Sequence, residues 1–152
     1  MTRIQKILVA YDGSTQSKEA LDWAIDLSLM TKAQVMVVKV IEMMSLREMT
    51  DLYEGGAHAD LLVSKIEEIQ KADQKLLEEA ITAVGQRKGV AITTALLHGN
   101  VAAAIIEFSK ENAADLIVVG TKGHGVLEEL LMGSVTRNLV SLSRIPVLVV
   151  KD

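Results

Sequence analysis

Apolar residues along the chain occur in two patterns that alternate. Short unbroken apolar runs are typical of strands buried on both faces, and apolar residues recurring every three or four positions are typical of helices with one buried stripe. The runs predict five strands, at residues 4–10, 34–41, 90–97, 115–120 and 146–151. The periodic segments predict four helices, one starting after Ser14 and the others at residues 60–84, 101–111 and 134–143. The segment that begins at Met43 and ends at Ala59 has no sustained period, and we expect an irregular excursion there.

This alternation of strand and helix predicts one α/β domain over residues 1–152, an open parallel five-stranded sheet with helices on both faces. The most apolar strands, around Ile7 and Leu116, are expected at the centre, and the third strand, with two threonines, at an edge. The predicted strand order is therefore 3-2-1-4-5. In that order the winding of the chain reverses between strands 1 and 4, and open α/β sheets bind ligands at the carboxyl ends of the strands at such a point.

The long helix at residues 60–84 has one irregularity. Its apolar stripe is formed by Leu62, Ile66, Ile69, Leu76, Ala80 and Val84. Asp73 interrupts this stripe, which predicts a lapse in burial at that turn.

The stretch around residues 115–142 carries the strongest candidate chemistry. Its apolar strand is followed by Gly120 and Gly123, and after nine further residues Gly133 and Ser134 stand directly before the last helix. Glycines let backbone N–H groups approach an anion, and a helix N-terminus adds a partial positive charge. The spacing therefore favours a site for a nucleotide phosphate chain. The alternative is that Gly120 merely ends the strand and Gly133 only spaces Ser134. In either case Ser134 is the predicted N-cap of the last helix.

A second loop is expected beside this one, at the end of the first strand. It has the sequence Tyr11-Asp12-Gly13-Ser14, in which Ser14 is the predicted N-cap of the first helix. Asp12 is predicted to contact a ligand, because it ends a central strand at the switch point. The alternative is that its carboxylate only accepts N–H groups of its own loop.

Composition narrows the classes of function. The absence of cysteine excludes disulfides and thiolate metal sites and fits a cytoplasmic protein. No apolar run reaches the roughly 18 residues of a membrane span, and a net charge of −4 argues against nucleic-acid binding. His58 and His98 stand apart from any second histidine, so no metal site is predicted.

Several motifs together resemble the universal stress protein family, in its ATP-binding branch. They are VAYDGS after the first strand, the H-G-N turn before the third helix, ADLIVVG, the G-x-x-G-x9-G-S spacing and the terminal PVLVVK. The resemblance covers nearly the whole chain. It implies a Rossmann-like fold, an adenine nucleotide between the loops after strands 1 and 4, and a homodimer joined through the last strand, which begins at Pro146 and ends at Lys151.

The resemblance also implies roles for single residues. Ala10 and Asp12 would line the adenine–ribose side, and the main chain of Val40 would hydrogen-bond the adenine edge. The ribose and phosphates would be wrapped by Val119, Gly120, Lys122 and Gly123, and the phosphate chain capped by Gly133, Ser134 and Val135. Two positions depart from the family pattern: Val101 stands where proline is frequent, and Lys122 where arginine or histidine is frequent.

Three functions are compatible with these features. The first is an ATP-binding stress-response regulatory protein that acts through nucleotide-dependent conformation or dimerisation, with ATP bound with or without Mg²⁺. The second is a slow ATP hydrolase or nucleotidyl-transfer enzyme in which Asp12 assists a metal ion. The third is a nucleotide-independent dimeric scaffold. No acid pair or Ser-His-Asp series is evident, so no catalytic residue is predicted and we expect at most weak ATPase activity.

Overall fold

Strands and helices alternate throughout the part of the chain that the computed structural model describes, residues 3–42, 51, 54, 59–85, 89–123 and 131–151. The elements are β1 (Lys6–Ala10), α1 (Thr15–Thr31), β2 (Gln34–Ile41), α2 (Ala59–Gly85), β3 (Ile92–His98), α3 (Val101–Glu111), β4 (Leu116–Gly120), α4 (Ser134–Leu142) and β5 (Val147–Val150). Their bounds lie within one or two residues of the predicted ones. Most of the predicted excursion, residues 43–50, 52–53 and 55–58, lies outside the described residues.

The five strands form one sheet in the order β3-β2-β1-β4-β5, with every neighbouring pair parallel. This confirms the predicted α/β class and strand order. The central position of β1 and β4 follows from their composition, because Ile7, Leu8 and Ile117 are fully buried and only central strands exclude water from both faces. β3, with its two threonines, is an edge strand and is partly exposed along its length.

Each face of the sheet is covered by two helices, because successive side chains of a strand point to opposite faces. On the first face, α1 and α2 pack over a cluster that includes Ile7, Val9, Val35 and Val37. On the second face, α3 and α4 pack over a cluster that includes Leu8, Met36, Val38 and Ile117.

Three of the helices begin at capping residues that the structure describes, and these caps differ. Ser14 caps α1 as predicted, its hydroxyl accepting from the N–H of Ser17 at 3.1 Å. Asn100 caps α3 in the same way, accepting from the N–H of Ala103 at 3.0 Å. At α4 the N-cap is Gly133, which offers no side-chain acceptor.

The prediction that Ser134 is the N-cap of α4 is therefore wrong. Gly133 holds the extended backbone of an N-cap (φ −72°, ψ 165°), and its carbonyl accepts the first helical bond from the N–H of Arg137 at 3.0 Å. The helix thus begins one residue earlier than a serine cap requires, and Ser134 is its first helical residue, with an exposed side chain.

α2 is longer than the strands that it covers. Its 27 residues span about 40 Å, whereas the eight residues of β2 span about 26 Å. Leu77 and Val84, in its C-terminal half, are buried against the sheet, while Leu61 and Ile66, in its N-terminal half, are exposed. A crossover helix runs antiparallel to its strands, so the N-terminal half of α2 projects beyond the carboxyl edge of the sheet. No helix in the described part of the chain is long and apolar enough to cross a membrane.

Candidate functional site

A cavity of about 470 Å³ opens at the carboxyl edge of the sheet, where β1, β2 and β4 end. Its size lies within the range of small-molecule sites. All ten residues predicted to bind nucleotide line this one cavity: Ala10, Asp12, Val40, Val119, Gly120, Lys122, Gly123, Gly133, Ser134 and Val135. The fold thus brings together three segments that are far apart in the sequence, while their binding role stays a prediction.

One end of the cavity is the start of α4. The N–H groups at a helix start have no acceptor within the helix. The N–H of Gly133 is already used, because it donates to the carbonyl of Thr121 at 2.8 Å. Those of Ser134, Val135 and Thr136 are left, and within the described part of the chain no side chain caps them. They are suited to an external anion, which the positive end of the helix dipole also favours.

The loop that leads to α4 is fixed at both of its ends. The buried hydroxyl of Thr136 donates to the carbonyl of Gly120 at 2.8 Å, which ties the first turn of α4 to the end of β4. The bond between Gly133 and Thr121 lies beside it. The glycine spacing did not indicate Thr136. These two hydrogen bonds hold the start of α4 against the end of β4.

Two of the glycines have packing reasons of their own. A Cβ on Gly120 would stand 2.7 Å from Cβ and 2.9 Å from the carbonyl oxygen of Gln16, so glycine at this position lets α1 approach β4 closely. A Cβ on Gly123 would collide with Oδ2 of Asp12. The absence of a side chain at Gly123 therefore lets the loop after β4 meet the carboxylate of the loop after β1.

Asp12 joins these two loops. Its Oδ1 accepts from the N–H of Ser14 at 2.9 Å, which orders the turn into α1, while Oδ2 lies against Gly123. The structural role considered from the sequence, acceptance of an N–H within its own loop, is thus observed. The carboxylate also lines the cavity, so this role is compatible with a ligand contact.

The neighbouring Tyr11 stays neutral. Burial raises the pKa of its hydroxyl above 10, and the negative charges of Glu79 and Asp12 raise it further. Its backbone N–H donates to the carbonyl of Val38 at 2.9 Å, which continues the pairing of β1 with β2 beyond the strand end. Tyr11 therefore shapes the wall of the cavity and adds no charge to it.

The remaining walls contain residues that the motifs did not reveal. Val38, Val101 and Ile105 give an apolar surface on the second face of the sheet. On the first face, Ile69 and Asp73 reach the cavity from α2. The interruption of the apolar stripe at Asp73 was the sequence signal for this contribution.

Of the three histidines, the described part of the chain includes one. His98 lies exposed at the end of β3, and His58 and His124 lie outside the described residues. Among the residues that are described, no group of three or more His, Cys, Asp or Glu side chains is arranged to hold a metal ion.

Comparison with known proteins shows the family of the chain. The profile described as the Universal stress protein family matches residues 3–151, almost the whole sequence. The chain belongs to the universal stress protein family. Universal stress protein YxiE of Bacillus subtilis is 34% identical over 149 residues, covering 96% of this chain and 98% of YxiE. Universal stress protein MJ0531 of Methanocaldococcus jannaschii is also 34% identical, over 147 residues, covering 97% and 82% of the two chains.

Solved structures of universal stress proteins share the fold. The structure of MJ0577 from Methanocaldococcus jannaschii superposes with a TM-score of 0.79 at 26% identity, covering 99% of this chain and 98% of that one. A universal stress protein crystallised in complex with cAMP superposes with a TM-score of 0.71 at 23% identity, covering 99% and 98%.

Proposed function

We propose that this universal stress protein binds an adenine nucleotide, ATP first of all, and that the bound nucleotide regulates it by favouring one conformation or dimer. The observation that carries the proposal is the glycine-capped start of α4, whose N–H groups at Ser134 and Val135 open into the cavity. A ligand acts as a regulator of this kind when it binds one conformation more tightly than the other. We place this role in the cytoplasm, in keeping with the absence of cysteine.

The cavity has suitable surroundings for each part of ATP. The free N–H groups of α4 and the ammonium of Lys122 would hold the phosphates. The apolar wall formed by Val40 and Val101 would take the adenine, with the main chain of Val40 at its edge, and Asp12 would lie near the ribose. Mg²⁺ would reach the protein as part of the nucleotide complex rather than through a site of its own.

Other universal stress proteins support the choice of an adenine nucleotide. One was solved in complex with cAMP, and one from Archaeoglobus fulgidus in complex with dAMP. They are 23% and 18% identical to this chain, so their likeness concerns the fold. They support the capacity of this architecture to hold an adenine nucleotide.

The direct test is to identify the ligand that the purified protein carries and to measure its binding. We expect native mass spectrometry of freshly purified protein to show bound ATP or AMP, and calorimetry on the stripped protein to show saturable ATP binding. Incubation with ATP and Mg²⁺, followed by chromatography, should show little product. Stripped protein that binds no ATP would refute the proposal, and rapid turnover would replace it with the hydrolase hypothesis.

The dimer is proposed to form through β5. This edge strand is VLVV and pairs with β4 in the described chain, with Val147, Leu148 and Val149 partly exposed. The N–H of Ile117 donates to the carbonyl of Pro146 at 3.0 Å, so in this parallel pair the backbone groups of Val147 and Val149 face away from β4. They are available to a second copy, as unpaired edges are.

Proline at position 149 tests this edge. Val149→Pro removes an outward N–H and leaves the hydrogen bonds to β4 intact, so we expect a lower mass in light scattering. Val149→Ala is the matched control, since it shortens the side chain but keeps the N–H, and it should remain dimeric. A proline variant with the mass of the unmodified dimer would place the interface elsewhere.

A further inference from the structure

We propose that Asp73 of α2 recognises the nucleoside end of the ligand by accepting a hydrogen bond from it. The inference rests on the proposed nucleotide binding and adds a specificity residue to it. Asp73 belongs to none of the segments that carry the family resemblance, and it reaches the cavity from the helix that projects beyond the carboxyl edge of the sheet.

The position of Asp73 on α2 is the first argument. It stands in the inward stripe, one turn after Ile69 and one turn before Leu76 and Leu77. Leu76 packs on the loop after β1, where a Cβ on Gly13 would lie 2.6 Å from its Cδ1. The inward stripe therefore meets the sheet from Leu76 onward, and one turn earlier it meets the cavity. An acidic side chain in the inward stripe would be unfavourable against the apolar core. At position 73 the stripe faces the cavity, where a polar ligand can bind.

The second argument is that no residue in the described part of the chain competes for the carboxylate of Asp73. Asp73 is half-buried, and it forms no hydrogen bond or ion pair with another residue that the structure describes. The carboxylate is therefore open to a donor group on a ligand. Asp12, by contrast, already accepts from the N–H of Ser14.

The third argument is the charge pattern along the cavity. α2 packs on β2 and β3 on the first face, whereas α4 begins beside β4 on the second face. Two strand spacings, about 10 Å, separate β2 from β4 along the sheet. A carboxylate at this distance avoids the phosphates and meets the other end of a nucleotide. Lys39 and Glu42, at the end of β2, also line the cavity, and their opposite charges offset each other.

The chemistry of the carboxylate defines the group that it recognises. An ionised carboxylate only accepts hydrogen bonds, so the ligand must offer a neutral donor. The nucleoside of ATP has three such donors, the 2′- and 3′-hydroxyls of the ribose and the exocyclic amine of adenine. A purine with a carbonyl in place of that amine would present an acceptor and be disfavoured.

Substitution at position 73 combined with changes in the ligand tests this assignment. Affinities are measured by calorimetry for ATP, 2′-deoxy-ATP, 3′-deoxy-ATP, inosine triphosphate and inorganic tripolyphosphate, on the unmodified protein and on Asp73→Ala and Asp73→Asn. Glu78→Ala, on the exposed side of the same helix, is the matched control. We expect Asp73→Ala to weaken ATP roughly tenfold, Asp73→Asn to weaken it less, and neither to weaken tripolyphosphate.

The ligand series identifies the donor. The analogue that lacks it should bind more weakly than ATP to the unmodified protein and as tightly as ATP to Asp73→Ala, because the hydrogen bond is then absent in both cases. Asp73→Ala that binds ATP as tightly as the unmodified protein, or more tightly, would overturn the assignment and leave nucleotide binding intact. Equal weakening of ATP and tripolyphosphate would also overturn it. Failure of the unmodified protein to bind ATP would refute the proposed function itself.

Discussion

Aspartate in place of Gly133 should strengthen the fold and abolish nucleotide binding. The backbone at this position (φ −72°, ψ 165°) is open to any residue and is that of an N-cap. A carboxylate there would accept from the N–H of Thr136 or Val135, as Ser14 accepts from Ser17 at α1 and Asn100 from Ala103 at α3. It would thus occupy the place that we assign to the phosphates.

The two effects have different magnitudes and opposite signs. Aspartate in place of glycine at an N-cap stabilises a helix by a few tenths of a kcal/mol, and its negative charge at the helix start adds about 0.3 to 1 kcal/mol. The free energy of unfolding should therefore rise by about 1 kcal/mol. In a chain of 152 residues this raises Tm by roughly 2–4 °C. Against the ligand, two like charges about 4 Å apart repel by about 4 kcal/mol at an effective dielectric constant of 20. Even with screening, affinity should fall at least about a hundredfold.

Thermal unfolding without nucleotide and ATP calorimetry measure the two effects on the same preparation. Gly133→Asn is the matched control, because it caps the helix with a neutral side chain of the same shape. We expect it to weaken ATP by roughly tenfold, since it competes for the N–H groups without repelling the phosphates. The difference between the two variants isolates the contribution of charge.

Tight binding by the aspartate variant would refute the reasoning. If Gly133→Asp unfolds at a higher temperature and binds ATP as tightly as the unmodified protein, the helix start is capped and the phosphates lie elsewhere. A variant that loses both stability and binding would show instead that the aspartate side chain does not accept from the N–H groups at the start of α4.

Two further predictions concern the elements that support the site. Ser14→Ala should cost about 1 kcal/mol of stability because Ser14 caps α1, whereas Ser134→Ala should cost less than about 0.5 kcal/mol because the cap of α4 is the preceding residue. Denaturant unfolding measures both, and equal losses would contradict this assignment of caps. Gly120→Ala should destabilise the protein by roughly 1–3 kcal/mol, since its Cβ meets the backbone of α1. A thermal midpoint unchanged from that of the unmodified protein would contradict that packing.

The sequence predicts the sheet well because each strand has its own local pattern. The runs around Ile7 and Leu116 are fully apolar, which separates central strands from the edge strand β3 with its two threonines. The N-cap of α4 is predicted wrongly because that prediction also uses only the local sequence. Ser134 has the side chain of a cap, but the position of the cap depends on hydrogen bonds of Gly133 and Thr136 to the end of β4, more than ten residues away.

Only part of the candidate site can be predicted from the sequence. The glycine spacing indicates its anionic end, and the family resemblance supplies residues such as Ala10 and Val40. Ile69 and Asp73 could not be assigned, because they reach the cavity through the length and direction of α2. The sequence does show Asp73 as an acidic residue in an apolar stripe, but this pattern does not indicate what its side chain faces.

A crystal structure of the protein grown with excess ATP tests the central claim most directly. We expect phosphate oxygens within hydrogen-bonding distance of the backbone N–H groups of Ser134 and Val135, with the adenine against Val40. Phosphates bound elsewhere, or a cavity filled by the protein's own side chains despite saturating ATP, would contradict the claim.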